Sequence, residues 1–175
     1  MDTNDILRRL YDVHRIQQLA IEYAIAMDGR DLERVVGLFV PDVRTAHGVG
    51  RAALGDQLDS AMRTSRLSVM SVSNHLITFD SDDGGADDLA RGVVYCRAVA
   101  DFDGTMVEQL IRYDDRYAVV DGAWKYRTRL HRLWWGVEMA ERPLDQPPAN
   151  WPTHHTGVGT LPDELPSWTE FWSNR

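Results

Sequence analysis

Asp28 and His75 are the residues of this chain whose types and placement suit proton transfer. A carboxylate and an imidazole brought together in a dry cavity make a base that abstracts a proton from carbon, or assists a water, at neutral pH. Asp28 ends a run in which Ile6, Leu10, Val13, Ile16, Ala20, Ala24 and Met27 recur at three- and four-residue spacing, the pattern of an amphipathic helix. Helix geometry sets Asp28 one turn after Ala24, at the edge of that apolar stripe. His75 falls in an alternating segment, on the parity of Ile77 and Phe79 and opposite Asn74, Leu76 and Thr78. If the Ile77 parity faces the helices, the imidazole enters the interior, where a neighbouring carboxylate would favour its charged form and orient one ring nitrogen. A helix-end carboxylate and a satisfied histidine are also common without any reaction, so the local pattern leaves both readings open.

The last predicted strand supplies a second set. Lys125, Arg127, Arg129, His131, Leu133 and Trp135 share one parity, and Trp124, Tyr126, Thr128, Leu130, Arg132 and Trp134 the other. The two parities read as solvent and core; on a curved sheet the basic side turns around a pocket, where Arg129 or His131 would stabilise an oxyanion or an acidic leaving group. Tyr23, Tyr95, Tyr113 and Tyr126 offer phenols that combine ring area with a hydroxyl. Other chemistries find little support. His154 and His155 are adjacent and provide two ligands without a defined spacing, so no metal site is expected. Gly48 and Gly50 lack the strand-to-helix context of a dinucleotide turn, and no serine sits in a GxSxG setting, so no cofactor is expected either. Asp80, Asp82, Asp83, Asp87 and Asp88 fail the spacing of a calcium loop.

The elements that must position these residues follow from periodicity and turn residues. One helix spans Asp5 to about Met27, with Gly29 as its stop; Asp31 caps a short second helix carrying Leu32, Val35, Val36 and Phe39, which Pro41 ends. Val43 to Ala46 reads as a short strand and Arg51 to about Arg66 as a third helix. Four strands follow, Val69 to Phe79, Leu89 to Ala100, Thr105 to Tyr117 and Ala123 to Trp135, separated by Asp- and Gly-rich reversals. Helices first and hairpins afterwards argue for an α+β domain with helices on one face of a largely antiparallel sheet. Residues 1–135 form that domain; 136–175 form a Pro- and Trp-rich extension expected to pack on the domain or on a partner subunit.

The 175 residues suffice for one domain with a sizeable core. A formal charge of -8 gives the surface no general attraction for nucleic acid. A single cysteine, Cys96, excludes an internal disulfide and suits a reducing compartment. With neither a secretory pattern at Met1 nor an apolar stretch of bilayer length, a cytoplasmic protein without a membrane span is expected.

The segments Ile16–Leu19, Ala26–Glu33 and Leu38–Asp42, the histidine-bearing Ser73–Leu76, and the pairing of Asp114–Tyr117 with Gly122–Lys125 resemble the SnoaL-like branch of the nuclear transport factor 2-like (NTF2-like) superfamily. The resemblance covers most of residues 5–135. It implies a cone of N-terminal helices packed on a curved, mostly antiparallel mixed sheet, and commonly a homodimer or higher homo-oligomer. Dehydratases and dehydrochlorinases of that superfamily hold an Asp-His dyad in the cone, and their motif positions correspond to Asp28 and His75. An active-site arginine corresponds to Arg129, a first-helix lysine to Tyr23, a tyrosine before the aspartate to Met27, and a second histidine to Tyr95. The resemblance thus implies a cofactor-independent lyase or isomerase for an apolar polyketide-, steroid- or terpenoid-like molecule, with His75, Asp28 and Arg129 catalytic and Tyr23, Tyr95, His131, Tyr113 and Met27 binding substrate. A non-catalytic small-molecule binding module and a structural homo-oligomer are the alternatives, because the scaffold hosts many functions.

Overall fold

A computed structural model of the chain describes residues 2–140, 149–150, 156–157 and 165–174. Helix α1 (Thr3–Asp28) starts at an Asp2 capping box with Asp5, in which each side chain accepts the other residue's backbone N–H. Helix α2 (Leu32–Gly37) is capped by Asp31. A small hairpin of β1 (Arg44–Thr45) and β2 (Gly48–Val49) leads into α3 (Arg51–Arg63). Four long strands then run consecutively, β3 (Leu67–Phe79), β4 (Leu89–Phe102), β5 (Thr105–Val120) and β6 (Ala123–Glu138), in an antiparallel sheet of order β3-β4-β5-β6. An isolated parallel bridge between Phe39 and Tyr126 adds the segment after α2 to the β6 edge, giving the expected α+β architecture. Two-residue strands β7 (Ala149–Asn150) and β8 (Thr156–Gly157) pair with each other, and α4 (Pro166–Ser173) ends the described chain. Among the described residues no helix is long and apolar enough to cross a membrane. His154 and His155 lie outside the described residues.

The core lies between α1 and the sheet. Ile16, Leu19, Tyr23 and Ala26 of α1 meet Val35, Phe39, Leu54, Leu58, Met62, Tyr117, Trp124 and Tyr126. Burial of α1 begins in earnest at Ile16, whereas Ile6 and Leu10 stay exposed. Those first turns meet the remainder of the chain through polar groups, Arg9 lying over the Phe79 ring and Asp12 accepting from the Trp124 indole. On β4 the inward positions are Ala90, Gly92, Val94, Cys96, Ala98 and Ala100. Their small size keeps the middle of the sheet shallow beneath α1.

Two of the three register shifts in the main sheet decide which side chains of the site point inward. On β3 the register shifts between Ser73 and Leu76, and Asn74 adopts a left-handed φ of 47°. One extra residue in a strand exchanges its faces. Met70 and Val72 therefore pack inward before the bulge, and Ile77 and Phe79 after it. On β6 the register shifts opposite Arg116 and Tyr117, so Trp124 and Tyr126 are inward before it and Arg129 after it. An unbroken parity along either strand, the sequence expectation, does not hold.

Candidate active site

Asp28 is the last residue of α1, where the apolar stripe points its carboxyl at the start of β3. Its Oδ2 accepts the Met70 backbone N–H at 2.9 Å and its Oδ1 accepts the Ser68 hydroxyl at 3.2 Å. Burial pushes the carboxyl up to about 6, against the opposing pull of these two hydrogen bonds and the nearby Arg30 charge. A carboxyl of that strength exchanges protons readily near neutrality.

His75 belongs to a different network. Its Nε2 lies 3.0 Å from the Tyr117 hydroxyl, which donates to Asp115 Oδ2 at 3.0 Å. Asp115 faces Arg129 directly across β5 and β6 and receives Nε at 3.0 Å and Nη2 at 2.9 Å, a bidentate pair. The single phenolic proton of Tyr117 is committed to an acceptor carboxylate, so Tyr117 accepts from His75 and the imidazole carries its proton on Nε2. Burial, assisted by the Arg129 charge, holds the His75 pKa down to about 4, so its ring is neutral with a lone pair on Nδ1. Gly92 makes the chain of bonds sterically feasible. A Cβ at that position would stand 2.8 Å from the Tyr117 hydroxyl oxygen.

The expected Asp28–His75 pair is not formed. Asp28 is fastened at Met70, and His75 lies five residues further along β3, within the bulge region, where it pairs with Tyr117. The β3 groups that touch Asp28 are thus the Ser68 hydroxyl and the Met70 backbone N–H, not an imidazole.

Arg129 sits under the C-terminal half of α1 with 4% of its side chain exposed, and Asp115 is fully enclosed. Its guanidinium carbon lies 4.1 Å from the Tyr113 ring centroid, 4.4 Å from Tyr23 and 4.5 Å from Tyr126. Burial opposes its charge, but Tyr126 and Asp115 outweigh burial and its pKa stands above the ordinary value. Nη1 of Arg129 and the Tyr126 hydroxyl are left buried without hydrogen-bond partners. Most of the cation is therefore committed to Asp115 and the rings, and it also acts on the neighbouring Tyr126 phenol.

The remaining sequence candidates divide by sheet face. Tyr113 packs inward with Val94, Cys96 and Ile111, and the exposed His131 ring stands edge-on to it. Met27 packs against the larger core cluster. Tyr95 lies on the opposite face, 4.9 Å from the Trp134 ring, because its neighbours Val94 and Cys96 take the inward positions. Burial pushes the Cys96 thiol up to about 11, with the Arg129 charge drawing it down and the Asp28 charge adding to the rise. Among the described residues no three His, Cys, Asp or Glu side chains gather as a metal-ligand set. An open depression of about 210 Å³ around Leu76, Thr78, Gly92 and Arg116 includes neither Asp28 nor His75.

Sequence reasoning missed Asp115, Tyr117, Ser68 and Arg30. Asp115 was detectable as a charge on the apolar parity of Ile111, Tyr113 and Tyr117, and Gly92 as a close-approach glycine inside a strand. Ser68 carried no comparable signal.

The sequence profile of the SnoaL-like domain matches residues 8–130, and the chain belongs to this family. Among curated proteins none matches the sequence. Solved structures share the fold. A Novosphingobium aromaticivorans protein named as a scytalone dehydratase is 22% identical, covers 77% of this chain and 91% of its own, and gives a TM-score of 0.64. A hexachlorocyclohexane dehydrochlorinase from Novosphingobium barchaimii LL02 is 19% identical over 77% of this chain and 94% of its own, with a TM-score of 0.67. An NTF2-like protein with a cystatin-like fold from Novosphingobium aromaticivorans is 20% identical over 76% of this chain and 90% of its own, with a TM-score of 0.60.

Proposed function

We propose that this chain is a cofactor-independent lyase, most simply a dehydratase, or an isomerase, acting on an apolar polyketide-, steroid- or terpenoid-like molecule. The observation that carries the reading is the Asp28 carboxyl, held by two hydrogen bonds between the end of α1 and the start of β3, with its pKa raised to about 6. The ionised carboxylate takes a proton from carbon beside a carbonyl. Negative charge develops on that oxygen, and Arg129 Nη1 is the proposed donor to it, with the Tyr23 and Tyr113 phenols, whose rings lie against the same guanidinium, proposed beside it. Return of the proton to a leaving hydroxyl releases water, and its return to a different carbon moves a double bond. Apolar walls strengthen each of these contacts. His75, expected from the resemblance as the base, enters this proposal as a neutral imidazole with Nδ1 free to accept, at the Tyr117 end of the site. Met27 and His131 are proposed to border the substrate. Tyr95, on the other sheet face, is proposed instead for a homo-oligomer contact beside the exposed Trp134 and Leu76. A cytoplasmic location completes the proposal.

Incubating wild type, D28N and H75A with a panel of hydroxyketones in D2O, and reading water loss and deuterium uptake by mass spectrometry, tests the assignment. D28N should lose at least about 100-fold in rate, the scale on which positioned general bases act. Equal turnover by wild type and D28N would remove Asp28, and loss confined to H75A would restore the histidine as base. The two fixed donors on Asp28, the Met70 N–H and the Ser68 hydroxyl, favour a second reading, a binding module without turnover in which the carboxylate is a static polar contact. In that case ligand binding survives D28N and no protein exchanges deuterium.

A further inference from the structure

Two residues beyond Asp28 the chain does something costly. Gly29 keeps an ordinary helical φ of -78°, and Arg30 takes the left-handed conformation at φ 57°, although an arginine gains nothing sterically there. Gly29 is reserved for packing. A Cβ on it would meet the Ile25 carbonyl oxygen at 3.2 Å and Leu165 at 3.4 Å, and its own carbonyl accepts the Ser167 hydroxyl at 2.6 Å. The left-handed turn delivers the Arg30 side chain into the interior, where only 2% of the residue is exposed. Nη1 donates to the Met27 carbonyl at 2.7 Å and to Ser68 Oγ at 2.9 Å, while Nη2 donates to the Ser65 carbonyl at 2.9 Å and to its Oγ at 3.2 Å. Trp168 of α4 closes the arrangement, with its ring centroid 5.0 Å from the guanidinium carbon.

These bonds have a direction. Ser68 Oγ accepts Arg30 Nη1–H and donates its own hydroxyl hydrogen to Asp28 Oδ1, so the cation polarises the hydroxyl that holds the carboxylate. We propose that Arg30 is the positioning residue for Asp28, acting through the Ser68 hydroxyl, and that the C-terminal helix keeps it in place by seating Trp168 against the guanidinium. The inference rests on Asp28 as the reacting carboxylate, yet its geometry stands apart from any substrate. The Pro- and Trp-rich extension thereby acquires a role, since α4 reaches the site without contributing a group to it.

The carboxylate's charged and titratable surroundings are few. Arg30 follows it on its own segment, β3 contributes the Ser68 hydroxyl and the Met70 N–H, and the Cys96 thiol of β4 feels its charge. From α4 come Ser167 and Trp168, both neutral.

The test follows the Asp28 side-chain carboxyl carbon by NMR across pH 4 to 8 in full-length protein, with thermal unfolding as a control for folding. Wild type should titrate near 6. Ser68→Ala, a mild change, should raise the midpoint by roughly half a pH unit or more, because one hydrogen bond to the charged form is gone. Ser68→Thr, which keeps the hydroxyl, should restore it. Arg30→Gln should raise the midpoint further where the protein remains folded. Trp168→Ala should move it in the same direction, and Trp168→Phe should return it to the wild-type position. An unchanged midpoint in folded Ser68→Ala overturns the relay, and Trp168→Ala titrating like wild type overturns the role of α4. Should D28N turn substrate over like wild type while these midpoints move as stated, the catalytic reading fails and the positioning network stands.

Discussion

Asp28 and Asp115 are carboxylates set between α1 and the sheet, the first partly exposed and the second fully buried, and their partners differ in kind. Asp115 receives two parallel hydrogen bonds from Arg129 and a third from Tyr117; burial still raises its carboxyl, but a direct cation opposes that rise. Asp28 receives a neutral N–H and a hydroxyl, and Arg30 makes no direct hydrogen bond to it, acting through space and through the Ser68 hydroxyl. An enclosed carboxylate with a direct cation is part of the framework; one with neutral donors retains a proton affinity that a substrate can use. The fold places the matched carboxylate in the middle of the sheet and the under-compensated one at a helix end.

Breaking the matched pair should therefore have the largest effect on stability. Asp115→Asn or Arg129→Met leaves one buried charge uncompensated and should cost about 3–5 kcal/mol in urea unfolding at pH 7. A loss below about 1 kcal/mol, typical of surface ion pairs, would show that Asp115 is no more committed than Asp28. Asp28→Asn should move stability the other way. The folded pKa near 6 lies above the ordinary 3.8, so the carboxyl's contribution is fully present below 3.8 and is lost as pH rises through about 6. Removing the charge should thus stabilise the protein by about 1–2 kcal/mol at pH 8, after allowance for partial solvent screening, and by nearly nothing at pH 4. Unfolding curves at the two pH values check this, and a pH-independent difference would contradict it.

His75 provides the opposite sign. Its folded pKa near 4 lies below the ordinary 6.5, so its contribution is present above 6.5 and is lost as pH falls through about 4. His75→Gln, whose amide can still donate to Tyr117, should recover about 1–2 kcal/mol of the wild-type loss between those limits, as measured by urea midpoints at pH 7 and pH 4. If both proteins lose stability in parallel on acidification, the imidazole is not the group being forced to charge.

Much of this arrangement was legible in the sequence for identifiable reasons. The 3.6-residue stripe of α1 and the Asp-Gly reversals at Asp103–Gly104 and Asp121–Gly122 determine the order of elements, since both Asp103 and Asp121 do adopt left-handed conformations in tight turns. The stripe also places Asp28 at its end, facing the sheet. What parity could not reveal is where alternation breaks. A bulge depends on how two strands pair, so the shifts after Ser73 and Arg116 are properties of the sheet rather than of either segment. His75 shares the parity of Ile77 and Phe79 as read from the sequence, but its distance from Asp28 is set by Met70 reaching the helix end first. Arg30 was hidden for a similar reason, because Gly29 beside it looked like the residue that would turn left-handed.

The smallest of these effects probes the bulge itself, which separates the two carboxylates' territories along β3. Asn74 at φ 47° occupies a region that asparagine tolerates and alanine resists. Asn74→Ala should cost about 1 kcal/mol, whereas Asn74→Gly should remain within about 0.5 kcal/mol of wild type, since glycine visits that region freely. Strain alone would end the matter there. The register makes a further demand: without the extra residue, His75 would exchange faces and lose Tyr117. If alanine relaxes the bulge instead of enduring the strain, the imidazole pKa measured by NMR should rise from about 4 towards 6.5 as the ring leaves the interior. A variant that loses stability with the His75 titration unchanged retains the bulge under strain, and one in which both change shows that a single left-handed residue keeps His75 beside Tyr117.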